Sequence, residues 1–92
     1  MMYATKIIMC AGCNSSNKCI DIDSIYLEGA NEEKFYKKAA LYDYLKKTPN
    51  TIKVKKGLEP YVVPALSSRD EKYVRSEAND TESDNLLKLP RV

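Results

Sequence analysis

Ninety-two residues, 43% of them apolar and carrying a net charge of only +2, bound the chain to a single domain, 1–92, with one modest core. A charged fraction of 30% argues for a soluble fold, and no apolar run approaches the roughly 20 residues that span a bilayer. Histidine and tryptophan are absent, which removes the usual proton shuttle near neutral pH and the commonest metal ligand.

Thr5 to Cys10 reads as an isoleucine-rich strand. Its apolar stretch, Ile7-Ile8-Met9, is three residues long, against the roughly 7–15 of an export signal. Three cysteines make an odd count, which argues against a secreted disulfide framework and for a reducing, cytoplasmic setting. Ala11 to Lys18 is a loop by composition, with Gly12, Asn14, Ser15, Ser16 and Asn17. Cys10-Ala-Gly-Cys13 leads into that loop and Cys19 begins the return strand, so three thiols could converge on zinc. The fourth ligand would then be Asp21, Asp23, a water or another subunit. With no second CxxC the signal is weak. A thioredoxin-like redox pair needs a helix N-terminus that a Gly/Asn/Ser loop does not supply. Ordinary partly buried cysteines are the preferred reading, with no cofactor.

Cys19 to Leu27 alternates as a strand. Ile20 and Ile22 point one way, but Ile25 and Leu27 fall on the side of Asp21 and Asp23, so a bulge near Ser24 switches the face. The two strands form a hairpin with a long loop. Asp21 and Asp23 lie two apart and face solvent, and nothing marks them as an acid–base pair.

Asn31 is a reasonable helix cap, with Glu32 and Glu33 in the first turn. Phe35, Ala39, Tyr42 and Leu45 recur at helical spacing. Lys46-Lys47 suit the negative pole, and Pro49 ends the helix, which is expected over 32–47. Ile52-Lys53-Val54-Lys55 alternates as a half-buried strand, and Gly57 to Pro60 is a turn. Tyr61 to Leu66 is a strand in which Pro64, lacking an amide donor, must lie at an edge or bulge. Ser67 to Glu71 turns, and Lys72 to Glu77 is the last strand. The order is β-β-α-β-β-β, and the expected fold is α+β: a curved antiparallel sheet with one helix on a face.

Charge is unevenly placed. Residues 34–56 hold eight lysines against one acid, Asp43. With Tyr36, Tyr42 and Tyr44 interleaved, the segment resembles a nucleic-acid surface, in which Lys53, Lys55 and Lys56 would meet phosphate. The lysines spread over more than one helix face and arginine is missing, so a solvated surface is the plainer reading.

In the tail, Tyr73 and Arg75 share one side of a strand while Val74 takes the other. Asn79-Asp80 is a turn signal. Leu86, Leu87 and Leu89 are too apolar to stay free, and Pro90 stops regular structure. One reading is a C-terminal clasp over the core, with Asp84-Asn85 setting the turn that delivers the leucines. The other makes Tyr73, Arg75, Asp84 and Asn85 a polar binding patch. The leucines weigh for the clasp.

Tyr73-Val74-Arg75 and Asp84-Asn85-Leu86-Leu87-Lys88-Leu89-Pro90 carry a resemblance. They match the Tyr-(Ile/Val)-Arg … Asp-Asn-Leu-Leu-x-Leu-Pro ending of a family of small bacterial proteins of unknown function, domain-of-unknown-function family 3892. The resemblance implies a leading hairpin, one helix and further strands. It is tight over 72–91 and loose elsewhere. Ser76 stands where the family more often has Thr, and the cysteine cluster is not a family feature. No catalytic residue comes with the resemblance.

Enzyme chemistry is not expected. A Ser or Cys nucleophile would lack its common base, and the glycines at 12, 29 and 57 form no phosphate loop. The sequence points to a binding or interaction module, with an unidentified protein partner and no membrane. Nucleic-acid binding through residues 34–56 and a zinc-stabilised domain are the alternatives.

Overall fold

The computed structural model describes residues 1–57, 59–77 and 84–92. Strand β1 (Met2–Met9) pairs antiparallel with β2 (Ile22–Glu28), forming the expected hairpin. Between them Cys19–Asp21 forms a 3-10 turn, so the return strand begins at Ile22 rather than at Cys19. Met9 pairs with Ile22 while Ile8 pairs with Ser24, which leaves Asp23 as the extra residue of a bulge. The bulge lets both Ile22 and the pair Ile25 and Leu27 reach the core. A second register shift at Thr5 brings Ala4 and Ile7, three apart, onto the buried face.

The helix is shorter than its periodicity suggests. Phe35–Lys37 form strand β3 on the free edge of β2, with Tyr36 opposite Ile25 and Phe35 opposite Tyr26. Two adjacent aromatic residues suit a pleated edge, and ladder bonds to β2 replace the first helical turns. Helix α1 therefore spans Lys38–Lys47. Its N-cap is the extended Lys37, without a side-chain bond, and Asn31 caps nothing. The buried stripe is Leu41, Tyr42 and Leu45, while Ala39 is exposed and Phe35 lies outside the helix.

Strand β4 (Ile52–Val54) buries Ile52 and Val54 and pairs parallel with Met2–Ala4, so the sheet, of order β3-β2-β1-β4, is not wholly antiparallel. An isolated bridge from Lys53 to Tyr61 leads into the hairpin of β5 (Val62–Leu66) and β6 (Lys72–Ser76). Pro64 sits in this two-stranded sheet, where a missing donor breaks no central ladder. Val62 and Val74 join the core beneath α1, which packs on both strands of the hairpin.

The tail closes the core. Leu86, Leu87 and Leu89 are all buried, the first two on a 3-10 turn over Asn85–Lys88. Beyond it Pro90–Val92 runs parallel to β1, with Ile7 N–H donating to Pro90 O and Val92 N–H to Ile7 O, at 2.9 Å each. Asn79-Asp80 lies outside the described residues. No helix among the described residues is long and apolar enough to cross a membrane.

Candidate functional site

Alternation along the strands sorts the four-stranded sheet into two faces. Ala4, Ile7, Ile25, Leu27, Ile52 and Val54 point into the core beneath the helix and the second hairpin. Their neighbours point the other way. Across the register, Phe35 lies beside Tyr26, and Tyr26 beside Lys6. In a second row Glu28 lies beside Tyr3, Tyr3 beside Lys53, and Lys53 beside Tyr61. Each strand thus adds a ring or an ammonium group to one face.

The rings and charges are in contact. Lys6 Nζ stands 4.8 Å from the Tyr26 centroid, Lys53 Nζ 5.2 Å from Tyr61 and Lys55 Nζ 5.7 Å from Tyr3. All three fall within cation–π range. Tyr26 meets Phe35 edge to face at 5.1 Å, and its hydroxyl donates to Glu33 O at 3.3 Å. Lys6, Lys53 and Lys55 form no ion pair with an acid among the described residues. At the margin Lys37 is neutralised by Asp23 at 2.8 Å. That ammonium and the Ser24 hydroxyl, at 2.7 Å, hold the Asp23 carboxyl below its usual range.

Of the lysines singled out in the sequence, Lys53 and Lys55 belong to this face, while Lys56 lies in the turn beyond β4 with its carbonyl accepting from Asn85 Nδ2 at 2.8 Å. Tyr42 is buried in the helix stripe and Tyr36 packs against the core, so neither serves an outer surface. Tyr3, Tyr26, Phe35, Tyr61 and Lys6 were missed. They come from separate segments, and only their outward place in the strand alternation could have signalled them.

The polar residues of the tail separate. Asp84 is fully buried; its carboxylate accepts from Ser76 N–H at 3.1 Å, Ser76 Oγ at 2.6 Å and Leu86 N–H at 2.9 Å. Asn85 ties the tail to the turn after β4. Gly57 there has φ +66°, and a Cβ on it would stand 2.9 Å from Asn85 Nδ2. Tyr73 and Arg75 stay on the far side of β6 from Val74, opposite Ala65 and Val63. Arg75 Nη1 donates to Ser76 O at 3.2 Å. Asp84 and Asn85 thus join the clasp, and Asp84, fully buried, lies on no open patch.

Cys10 and Cys13 bracket a turn closed by Cys13 N–H to Cys10 O at 2.9 Å, while Cys19 is buried in the core. Burial pushes the Cys10 thiol pKa up. The carboxylates nearest in sequence are engaged, Asp21 by Ser16 Oγ at 2.6 Å and Asp23 by Lys37 and Ser24. Among the described residues no three His, Cys, Asp or Glu side chains are grouped to hold a metal ion. A cleft of about 410 Å³ opens where α1 meets β2 and β3, lined by Leu27, Tyr36, Leu41 and Tyr44, with Glu32 at its rim. It offers apolar surface and one carboxylate.

A family model described as "Protein of unknown function (DUF3892)" matches residues 8–90. Comparison with curated proteins and with solved structures found no match.

Proposed function

The chain belongs to the DUF3892 family, and on that premise we propose that it is a non-enzymatic binding module that takes an anionic partner on the outer face of its four-stranded sheet. The observation that carries this reading is the set of three ammonium groups, Lys6, Lys53 and Lys55, each over a tyrosine ring and none paired with an acid among the described residues. Cations held on rings keep their charge and shed part of their water, which favours an incoming anion.

Among the described residues, the two rows of this face hold rings, ammonium groups and Glu28, a set that suits binding. No histidine exists in the chain. Asp21, Asp23 and Asp84 are each committed to neighbours as acceptors. A reducing, cytoplasmic setting suits the odd count of three cysteines.

Retention on immobilised heparin at low salt tests the face. The triple variant Lys6→Glu/Lys53→Glu/Lys55→Glu should elute at markedly lower salt, because each reversal replaces an attraction by a repulsion. Unchanged retention of a folded triple variant would remove the proposal.

A further inference from the structure

Resting on that reading of the face, we infer that the anionic partner is single-stranded nucleic acid. Its bases lie against the rings of Tyr3, Tyr26 and Tyr61, and its phosphates lie against Lys6, Lys53 and Lys55. The combination of group types carries this step. An acidic polypeptide needs the charges but has no use for rings spread across the whole sheet. A base has a π-face, and stacking on an aromatic side chain holds it whatever its identity.

The geometry fits a strand laid across the sheet. Neighbouring β-strands lie about 4.8 Å apart, and a second row of outward residues lies about 7 Å along each strand. Rings from β1, β2, β3 and the bridge at Tyr61 therefore form a lattice of stacking positions, with lysines between them. Tyr26 is held by its edge contact with Phe35 and its hydroxyl bond to Glu33 O, so its ring is set before a ligand arrives. Lysine is a point charge on a flexible stem. Each ammonium can pass from ring to phosphate as a base takes its place. No arginine lies on the two rows, so there is no bidentate reader of guanine, and the contact tolerates sequence.

A duplex is excluded by the same rings, because its bases are stacked on one another and present only edges and phosphates. Glu28, beside Tyr3, repels phosphate and marks the limit of the track on β2.

The test is fluorescence anisotropy with a labelled mixed-sequence strand of about 12 nucleotides, as DNA and as RNA, a length within the site sizes of sheet-based binders. At about 50 mM salt the strand should bind, and affinity should fall with salt with a log–log slope near −2, as three phosphates at about −0.7 each require. Tyr26→Ala and Tyr61→Ala should each weaken binding about tenfold or more, and Tyr26→Phe should restore it. Lys53→Glu/Lys55→Glu, at surface positions that tolerate substitution, should remove most of the binding while circular dichroism stays unchanged. A duplex of equal length binding as tightly would overturn the inference. So would poly-glutamate competing as well as the strand, or Tyr26→Ala and Tyr61→Ala binding like the parent. Failure of the strand to bind, with heparin retention intact and lysine-dependent, defeats the ligand class alone. Strand binding that none of these variants moves defeats the face as well.

Discussion

The Asp84 carboxylate grips Ser76 twice, accepting from its backbone N–H at 3.1 Å and from its hydroxyl at 2.6 Å, with both residues fully buried. This contact fastens the end of β6 to the start of the tail. The third acceptor bond, to Leu86 N–H, begins the turn that carries the leucines. Asp84→Ala would leave two buried donors and the cap of that turn without their acceptor. Hydrogen bonds to charged groups are worth roughly 1.5–3 kcal/mol each, and an unmet buried donor costs about as much again. With three such bonds lost, the variant should lose about 4.5 kcal/mol or more in urea unfolding. Asp84→Asn keeps one carbonyl oxygen and should lose less. Equal stability of parent and Asp84→Ala would show that the clasp is held by the leucines alone.

Leu86 is the deepest of those leucines, with no exposed surface. Leu86→Ala should cost roughly 2–5 kcal/mol, the range for a buried leucine cut to alanine. Removing residues 80–92 takes away Leu86, Leu87, Leu89 and the Pro90–Val92 pairing to β1, and should unfold a domain whose total stability is on the order of 5–10 kcal/mol. A 1–79 fragment with the parent melting temperature would defeat this account.

The tail was legible because Leu86, Leu87 and Leu89, three leucines within four residues, are too apolar to be left in water. The bulge near Ser24 was legible because Ile22 and Ile25 cannot both face inward on a regular strand; the structure places the extra residue at Asp23. Phe35 was not legible. Its spacing to Ala39 satisfies a helix, and the open edge of β2 that claims it lies several residues upstream. The parallel pairing of β4 was hidden for a related reason, since Ile52-Lys53-Val54 alternates identically whichever way its neighbour runs. The candidate face was half visible. Lys53 and Lys55 stood out within a basic segment, but their ring partners Tyr3 and Tyr61 are joined to them only by sheet register.

Asp23 makes the acid limb of stability partly its own. Hydrogen bonds from Lys37 and Ser24 lower its folded pKa. A lowered carboxyl contributes stability that is present above its unfolded value, near 4, and is lost as pH falls through the folded value. Asp23→Asn should therefore be less stable than the parent at pH 6, by no more than about 1 kcal/mol for so exposed a pair. The gap should close below about pH 4. Melting temperatures measured from pH 7 to pH 2 check this, and a gap that widens on acidification would reverse the assignment.

The cysteines should behave as packing groups. Burial raises the Cys10 thiol pKa, so little of it is thiolate at pH 7 and alkylation should be slow. Cys19, buried in the core, should react only after denaturant is added. Protein purified without chelator should carry no stoichiometric zinc by atomic emission, and Cys13→Ser should melt within about 1 kcal/mol of the parent, as partly exposed substitutions do. One zinc per chain, released by Cys13→Ser with loss of fold, would establish a metal-stabilised domain instead.

The basic segment itself can be divided. Lys46 and Lys47 end the helix, exposed to solvent and on a different element from the sheet face. Lys46 lies 5.7 Å from the ring of Tyr42, which is buried and offers no stacking surface. Lys53 and Lys55 lie over Tyr61 and Tyr3, whose rings are half-buried on the open face. If affinity came from local lysine density, the two pairs would count alike, since all four belong to the run of residues 34–56. If it comes from ring and ammonium together, they differ. Lys46→Glu/Lys47→Glu should then change heparin retention only slightly and leave single-strand affinity within about threefold, a long-range effect that salt screens. Lys53→Glu/Lys55→Glu should remove most of both. Both double variants reverse two charges each, so net charge is the same in the two proteins and cannot explain a difference. Equal losses in the pair would trace the affinity to lysine density across residues 34–56 and not to ring and ammonium together on the sheet.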